Sequence, residues 1–149
     1  MNKLKLVYEG QVLAKKNSKQ IIINRRTGKP QIISNDKARF QEIAMENQFR
    51  TQATAAGWQF YYINHNNHRK RERAYPERFA IEITIYEQDK RRRDLDNQAT
   101  AILDGLVEAQ VIPDDSTEWL TSVKTTFGGI DKANPRAEIS IRKVFENEG

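Results

Sequence analysis

Leu4, Leu6 and Tyr8 alternate with Lys3, Lys5 and Val7, the two-residue period of a strand with one buried face. Ile21–Ile23 and Ile32–Ile33 flank Arg25-Arg26-Thr27-Gly28-Lys29-Pro30, whose Gly and Pro mark a turn, so the pattern predicts a hairpin with a basic tip. Ser34-Asn35-Asp36 then offers N-cap side chains for a helix from about Lys37 to Ala56. Phe40, Ile43, Ala44, Phe49 and Ala53 are expected to form its apolar face, and Gly57 its stop. Phe79, Ile81, Ile83 and Ile85 alternate with Ala80, Glu82, Thr84 and Tyr86, which predicts a strand. A helix is expected over Asp94 to Gln110, with Ala99, Ile102, Leu103, Leu106 and Val107 at core spacing. Trp119 to Phe127 and Ala137 to Phe145 predict two more strands, joined by a turn through Gly128 and Gly129. The order β, ββ, α, β, α, β, β predicts an α+β fold: a single domain over residues 1–149, with two main helices packed on a mixed β-sheet.

Residues 58–78 fit neither period. They hold Trp58, Tyr61 and Tyr62, both histidines and the run Arg69-Lys70-Arg71-Glu72-Arg73, and are expected to form an irregular basic excursion. The three aromatics suit a minor core better than a platform for stacked bases.

Composition narrows the class. Apolar residues make up 38% of the 149, enough for one modest core. Pairing would add buried surface, so size already makes a homodimer reasonable. The net charge of +5 favours a polyanionic partner, nucleic acid before anionic membrane. No apolar run reaches the roughly 18 residues that a membrane span needs. The first residues alternate rather than forming a secretory block, so a cytoplasmic location with no membrane partner is expected. With no cysteine, disulfides and thiolate metal sites are excluded.

The chemistry concentrates in Lys90-Arg91-Arg92-Arg93-Asp94-Leu95-Asp96-Asn97, where four cations run into two carboxylates two residues apart. In extended backbone such residues share a face, so Asp94 and Asp96 can converge at a strand end where a helix begins. Converging carboxylates suit Mg²⁺, a hard cation that takes oxygen ligands and keeps several waters. The adjacent arginines suit phosphate, so metal and phosphate could meet there. A further acidic unit, Asp114-Asp115, follows the helix. A helix over 97–110 would put it about 20 Å away at ~1.5 Å per residue. Asp115 joins the first two only if the chain folds back along the helix or a partner subunit completes the site. Each signal also has a plainer account. Asp96 suits a helix N-cap, Pro113-Asp114-Asp115-Ser116 suits a turn, and a charge run suits a solvated face.

Arg92-Arg93-Asp94-Leu95-Asp96-Asn97, Ile102-Leu103-Asp104-Gly105-Leu106 and Asp114-Asp115 together resemble the RusA family of Holliday junction resolvases, over most of residues 79–145. Lys15-Lys16-Asn17-Ser18-Lys19 and the helix from Lys37 resemble, more loosely, the family's basic entry segment and first helix. The resemblance implies an α+β homodimer that nicks four-way DNA junctions in pairs, in recombination and repair. Mg²⁺ would be the cofactor, with Mn²⁺ as a substitute. It implies catalysis and metal binding by Asp94, Asp96 and Asp115, with Asp114 beside them as a further metal ligand, and it implies that Asp115 reaches the other two. Lys15, Lys16, Asn17, Lys19, Arg25, Arg26, Arg91, Arg92 and Arg93 are the expected DNA-binding residues. RusA-like proteins occur often in prophages, so a bacterial or phage-encoded origin is expected. One position departs from the family: Thr100 stands where a lysine is common, one helical turn after Asp96, and Lys90 or Lys124 could substitute.

The main alternative is a non-catalytic protein that binds branched or single-stranded DNA through its basic runs and aromatics. It explains the charge but not the aspartate spacing. A nuclease built on a metal held by His65 and His68 is a weaker reading, with two histidines in all. Membrane binding is weaker still, because the basic runs lack an apolar helical face.

Overall fold

The computed structural model describes residues 1–14, 19–34, 36–61 and 77–145. Its elements are β1 (Lys3–Glu9), β2 (Lys19–Ile23), β3 (Pro30–Ser34), α1 (Asp36–Ala55), β4 (Glu77–Glu87), α2 (Leu95–Glu108), β5 (Leu120–Ile130) and β6 (Arg136–Phe145). Four strands form a mixed sheet in the order β1-β6-β4-β5, while β2 and β3 form a separate hairpin. The expected α+β architecture is present.

The sheet is buried on one face. Leu4, Leu6, Phe79, Ile81, Ile83, Ile85, Ile139 and Ile141 are all at most 2% exposed, and both helices pack over them. The alternate positions, including Lys5, Glu82 and Arg142, are open to solvent. That split follows from the strand period of two, and each fully buried Ile or Leu contributes roughly 1.5–3 kcal/mol.

β4 and β5 are parallel, with Phe79 opposite Leu120 and Glu87 opposite Ile130. Parallel neighbours need a crossover, and α2 supplies it. β4 therefore delivers the chain to the N-terminus of α2 at one end of the sheet. α2 returns it to the other end, where β5 starts. α1 crosses α2 at Gly105, where an added Cβ would lie 3.1 Å from both Met45 and Phe49.

Two expectations change. The buried face of α1 is Ala38, Gln41, Met45, Phe49 and Ala53, while Phe40 is 70% and Ile43 49% exposed. The helix is rotated so that its glutamines reach the backbone of β1 and the segment after it, which an apolar side chain could not satisfy. Gly128 and Gly129 lie inside β5, at a register shift opposite Ile85 and Tyr86, and the turn falls later, over Asp131–Pro135. Gly128 is required there, because a Cβ would come within 2.8 Å of Thr84 and of the Tyr86 ring. In the 58–78 stretch, Trp58 and Tyr61 are core residues at 4% and 1% exposure, as the minor-core reading expects. Tyr61 stands edge-on to Phe79 at 5.3 Å, and Trp58 Nε1 donates to Val111 O. Tyr62, His65, His68 and Arg69–Arg73 lie outside the described residues.

Candidate active site

β4 ends at Glu87 and α2 begins at Leu95, so residues 88–94 form a short loop at one end of the sheet. Asp94 caps α2: its backbone is extended (φ −89°, ψ 111°) and its side chain accepts from Asn97 N at 3.2 Å. The cap is thus Asp94 and not Asp96, because the extended backbone that a cap needs ends there. Asp96 sits in the first helical turn, exposed. Both carboxylates lie at the positive end of the helix dipole, which favours negative charge.

The loop lines an open cleft of about 390 Å³ together with Gln98, Phe127 and Ile130. Lys90, Arg91 and Arg92 are exposed there; Arg93 and Leu95, the neighbours of Asp94 in sequence, also line it, while Asp94 and Asp96 do not. Arg93 differs from the other three cations. Its guanidinium turns inward to Glu87 and to Asp89, with Nη2 2.9 Å from Asp89 Oδ1. Asp89 also accepts from Arg91 N at 2.9 Å, and that bond, followed by the Arg93 guanidinium, holds its carboxyl below the usual range. Arg93 thus lines the cleft with its guanidinium already paired within the loop.

Asp114 and Asp115 lie at the opposite end of α2. Asp115 is crowded by protein and by the carboxylates of Asp114 and Asp104, which together raise its pKa, burial first. Its side chain is nevertheless exposed in area, so the crowding comes from one side. Asp104 is two helical turns past Asp96, ~12 Å along the axis at 1.5 Å per residue. Because β5 runs parallel to β4, it starts beside the start of β4 and cannot carry Asp115 back to Asp94. Among the described residues, no three acidic or histidine side chains converge as a metal-holding group. One chain thus carries two separate acidic groups, Asp94/Asp96 and Asp104/Asp114/Asp115. The first of the two routes open in the sequence, folding back within the chain, does not occur.

The remaining expected site residues fall elsewhere. Arg25 and Arg26 are exposed at the hairpin tip, where Asn24 Oδ1 accepts from Arg26 N at 2.9 Å and holds the turn. Lys15, Lys16 and Asn17 lie outside the described residues, as does the side chain of Lys19. Thr100 is exposed, and its hydroxyl donates to Asp96 O at 3.0 Å, so it places no cation near the aspartates. Lys124 pairs in register with Glu82, on the sheet face away from the helices, whereas Lys90 lines the cleft. Two features were not singled out in the sequence. Asp104 lies inside a motif quoted there, and its place two turns from Asp96 was a usable signal. Glu87, 5% exposed, breaks the apolar series of its strand face, but only the fold shows what surrounds it.

The strand–loop–helix junction thus carries two carboxylates under a cationic rim, donors that suit a hard cation and a phosphate. The family model of the RusA endodeoxyribonucleases matches residues 9–142, and the chain belongs to that family. Comparison with individually curated proteins returns no match.

Proposed function

We propose that this chain is a Mg²⁺-dependent endonuclease that resolves four-way DNA junctions by paired nicks, acting as a homodimer. The observation that carries this reading is the Asp94/Asp96 pair at the N-terminus of α2, beside a cleft lined by Lys90, Arg91 and Arg92.

The donor chemistry suits Mg²⁺. All the candidates are carboxylate oxygens; burial first, and then the carboxylates of Asp114 and Asp104, raise Asp115, and a cation would relieve that repulsion. Asp94 and Asp96 from one chain and Asp115 with Asp114 from a partner would hold it. When bound, the ion polarises the phosphate and lowers the pKa of the attacking water.

The open edge of β5 supports such a dimer. Val123, Phe127 and Ile130 are 39%, 55% and 47% exposed along it. An antiparallel pairing of two β5 edges about a two-fold axis sets the start of one strand against the end of the other. That arrangement carries the Asp115 end of one chain toward the Asp94 end of its partner. Arg91 and Arg92 then hold the backbone on both sides of the cut, and Lys90 takes the place of the lysine that Thr100 lacks. Arg25 and Arg26 track phosphates further out, positioning the DNA without reading its bases.

The test is a labelled four-way junction beside a linear duplex, with Mg²⁺, Mn²⁺ or EDTA. Symmetric, metal-dependent nicks in the junction alone are expected. Asp94→Asn, which keeps a good helix cap, should abolish cutting and leave junction binding intact. Tight binding with no cutting in either metal would overturn the nuclease reading and favour a junction-binding protein. Thr100 is the observation on that side, and Thr100→Lys would then be the variant to make.

A further inference from the structure

The sheet has one face turned away from the helices, and charge is divided unevenly along it. On that face Lys3 stands opposite Arg142, and Lys5, Ser140, Glu82 and Lys124 form one row across β1, β6, β4 and β5. The half toward the start of β4 thus carries Lys3, Lys5, Arg78, Lys124 and Arg142 against the one carboxylate of Glu82. Arg78 is half-buried and donates through Nε to Glu118 O at 2.9 Å, while the others are exposed.

The other half of the face is balanced. There Arg136 lies 2.9 Å from Asp131 Oδ2 and 3.7 Å from Glu138 Oε1, with its guanidinium 4.0 Å over the Tyr86 ring, and Glu9 stands opposite it in register. Among the described residues, Lys3, Lys5 and Lys124 form no ion pair. Their outward placement follows from the strand period of two. Lys143, one position past Arg142, turns to the covered side, where its Nζ lies 4.6 Å over the Trp58 ring and 4.0 Å from Glu77.

Cations gathered without counter-charges repel one another, so the cluster is better explained by what it attracts than by what it stabilises. A strand spacing of ~4.8 Å and a rise of ~3.3 Å per residue make it about 14 Å wide and about 13 Å long. Duplex DNA carries one charge per about 1.7 Å of axis, so several phosphates meet such a patch together. Ser140, between the cations, adds a hydroxyl that can donate to phosphate oxygen without reading a base. An anionic membrane fits less well. The exposed apolar side chains of β5, Val123, Phe127 and Ile130, share the register of the covered face, and none stands among the cations.

We propose that this half of the open face is a second DNA surface, which holds the backbone of a duplex arm by its phosphates on the layer opposite the cleft. The choice of a junction arm rests on the junction reading above.

The test combines Lys3→Gln, Lys5→Gln and Lys124→Gln in one chain, with Arg142 left in place. Junction binding is measured against salt without divalent metal, so that cutting plays no part. Each phosphate-bound cation adds about 0.9 to the slope of log K against log salt, so the triple variant should lower it by about 2.7 per chain. Lys132→Gln, exposed in the turn at the other end of the sheet, controls for net charge and should leave the slope unchanged. Adding Arg91→Gln and Arg92→Gln to the triple variant should lower the slope by the sum of the two losses, because separate surfaces then hold one DNA. Glu82→Gln removes the one carboxylate and should tighten binding several-fold. If the triple variant does not fold, Lys5→Gln alone takes its place, with an expected fall of about 0.9. An unchanged slope in the triple variant, an equal fall in Lys132→Gln, losses that do not add, or binding no tighter in Glu82→Gln would each overturn the proposal. A triple variant that keeps its DNA slope and loses affinity for polyglutamate would overturn it in favour of an acidic protein as the occupant. A wild type that binds the junction without cutting it would defeat the nuclease reading alone, and the slopes would still decide the face.

Discussion

The two edges of the sheet are built in opposite ways. At the β1 edge, α1 closes the strand with its own side chains. Gln52 accepts from Val7 N at 2.8 Å and donates to Val7 O at 2.7 Å, so one amide serves both outward backbone groups. Gln48 accepts from Glu9 N, and Gln41 pairs with both N and O of Leu13. At the β5 edge nothing comparable appears among the described residues, and Val123, Phe127 and Ile130 stay exposed. An uncovered strand edge invites pairing with another chain, and proteins ordinarily blunt it. This fold blunts one edge and leaves the other apolar. On the proposed homodimer, the uncovered β5 edge is the side at which the second copy would pair.

The strongest way to break that comparison is to spoil the open edge. Phe127→Asp and Val123→Asp change exposed side chains, so each chain should fold normally but stay monomeric in light-scattering measurements. Cleavage should fall by at least about 100-fold, the scale expected when a ligand is missing from the reacting centre. A wild-type monomer, or full cleavage by a monomeric variant, would remove β5 as the interface.

Spoiling the closed edge should act on stability instead. Gln52→Leu leaves Val7 N–H and C=O without their partner, at a cost of about 1–3 kcal/mol. Denaturant unfolding should show that loss while the proposed dimer persists. An effect on assembly equal to that of Phe127→Asp would erase the distinction between the edges.

The smallest effect concerns the acidic group at the start of β5. Crowding raises the Asp115 pKa in the folded chain, so folding is favoured while that carboxyl is protonated. The advantage is present below the ordinary aspartate range and lost as pH rises through the raised value. At neutral pH without metal, Asp115→Asn should therefore raise the melting midpoint slightly, by about 1–2 °C for an exposed group. Mg²⁺ should raise the midpoint of the wild type and not that of the variant. A lower midpoint in Asp115→Asn would show that the carboxylate is stabilising where it stands.

Much of this was legible along the chain. The period-two runs at Leu4–Tyr8 and Phe79–Ile85, and the helical spacing of Ala99, Ile102 and Leu106, come from local geometry, so those elements lie where the pattern places them. The Asp94/Asp96 pair was visible because a strand end and a helix start constrain neighbours in sequence. Phe40 and Ile43 misled because helical spacing shows that a face exists, not which neighbour it must satisfy. Gly128 and Gly129 misled because glycine serves a bulge as readily as a turn.

What the residues determined by themselves is therefore local: the strands and helices, the basic loop, the paired carboxylates and the motif shared with the RusA endodeoxyribonucleases. Tertiary structure decided everything that depends on distance between remote segments. The parallel register of β4 and β5 put Asp115 at the far end from Asp94. Burial of Glu87 between Gln11 and Gln98 gave the Arg93 guanidinium a partner inside the protein, at the floor of the loop. The glutamines of α1 closed one sheet edge and left the other to its own apolar side chains. Strand direction and the pairing of buried polar groups are set by contacts between distant residues, and local spacing carries no record of them.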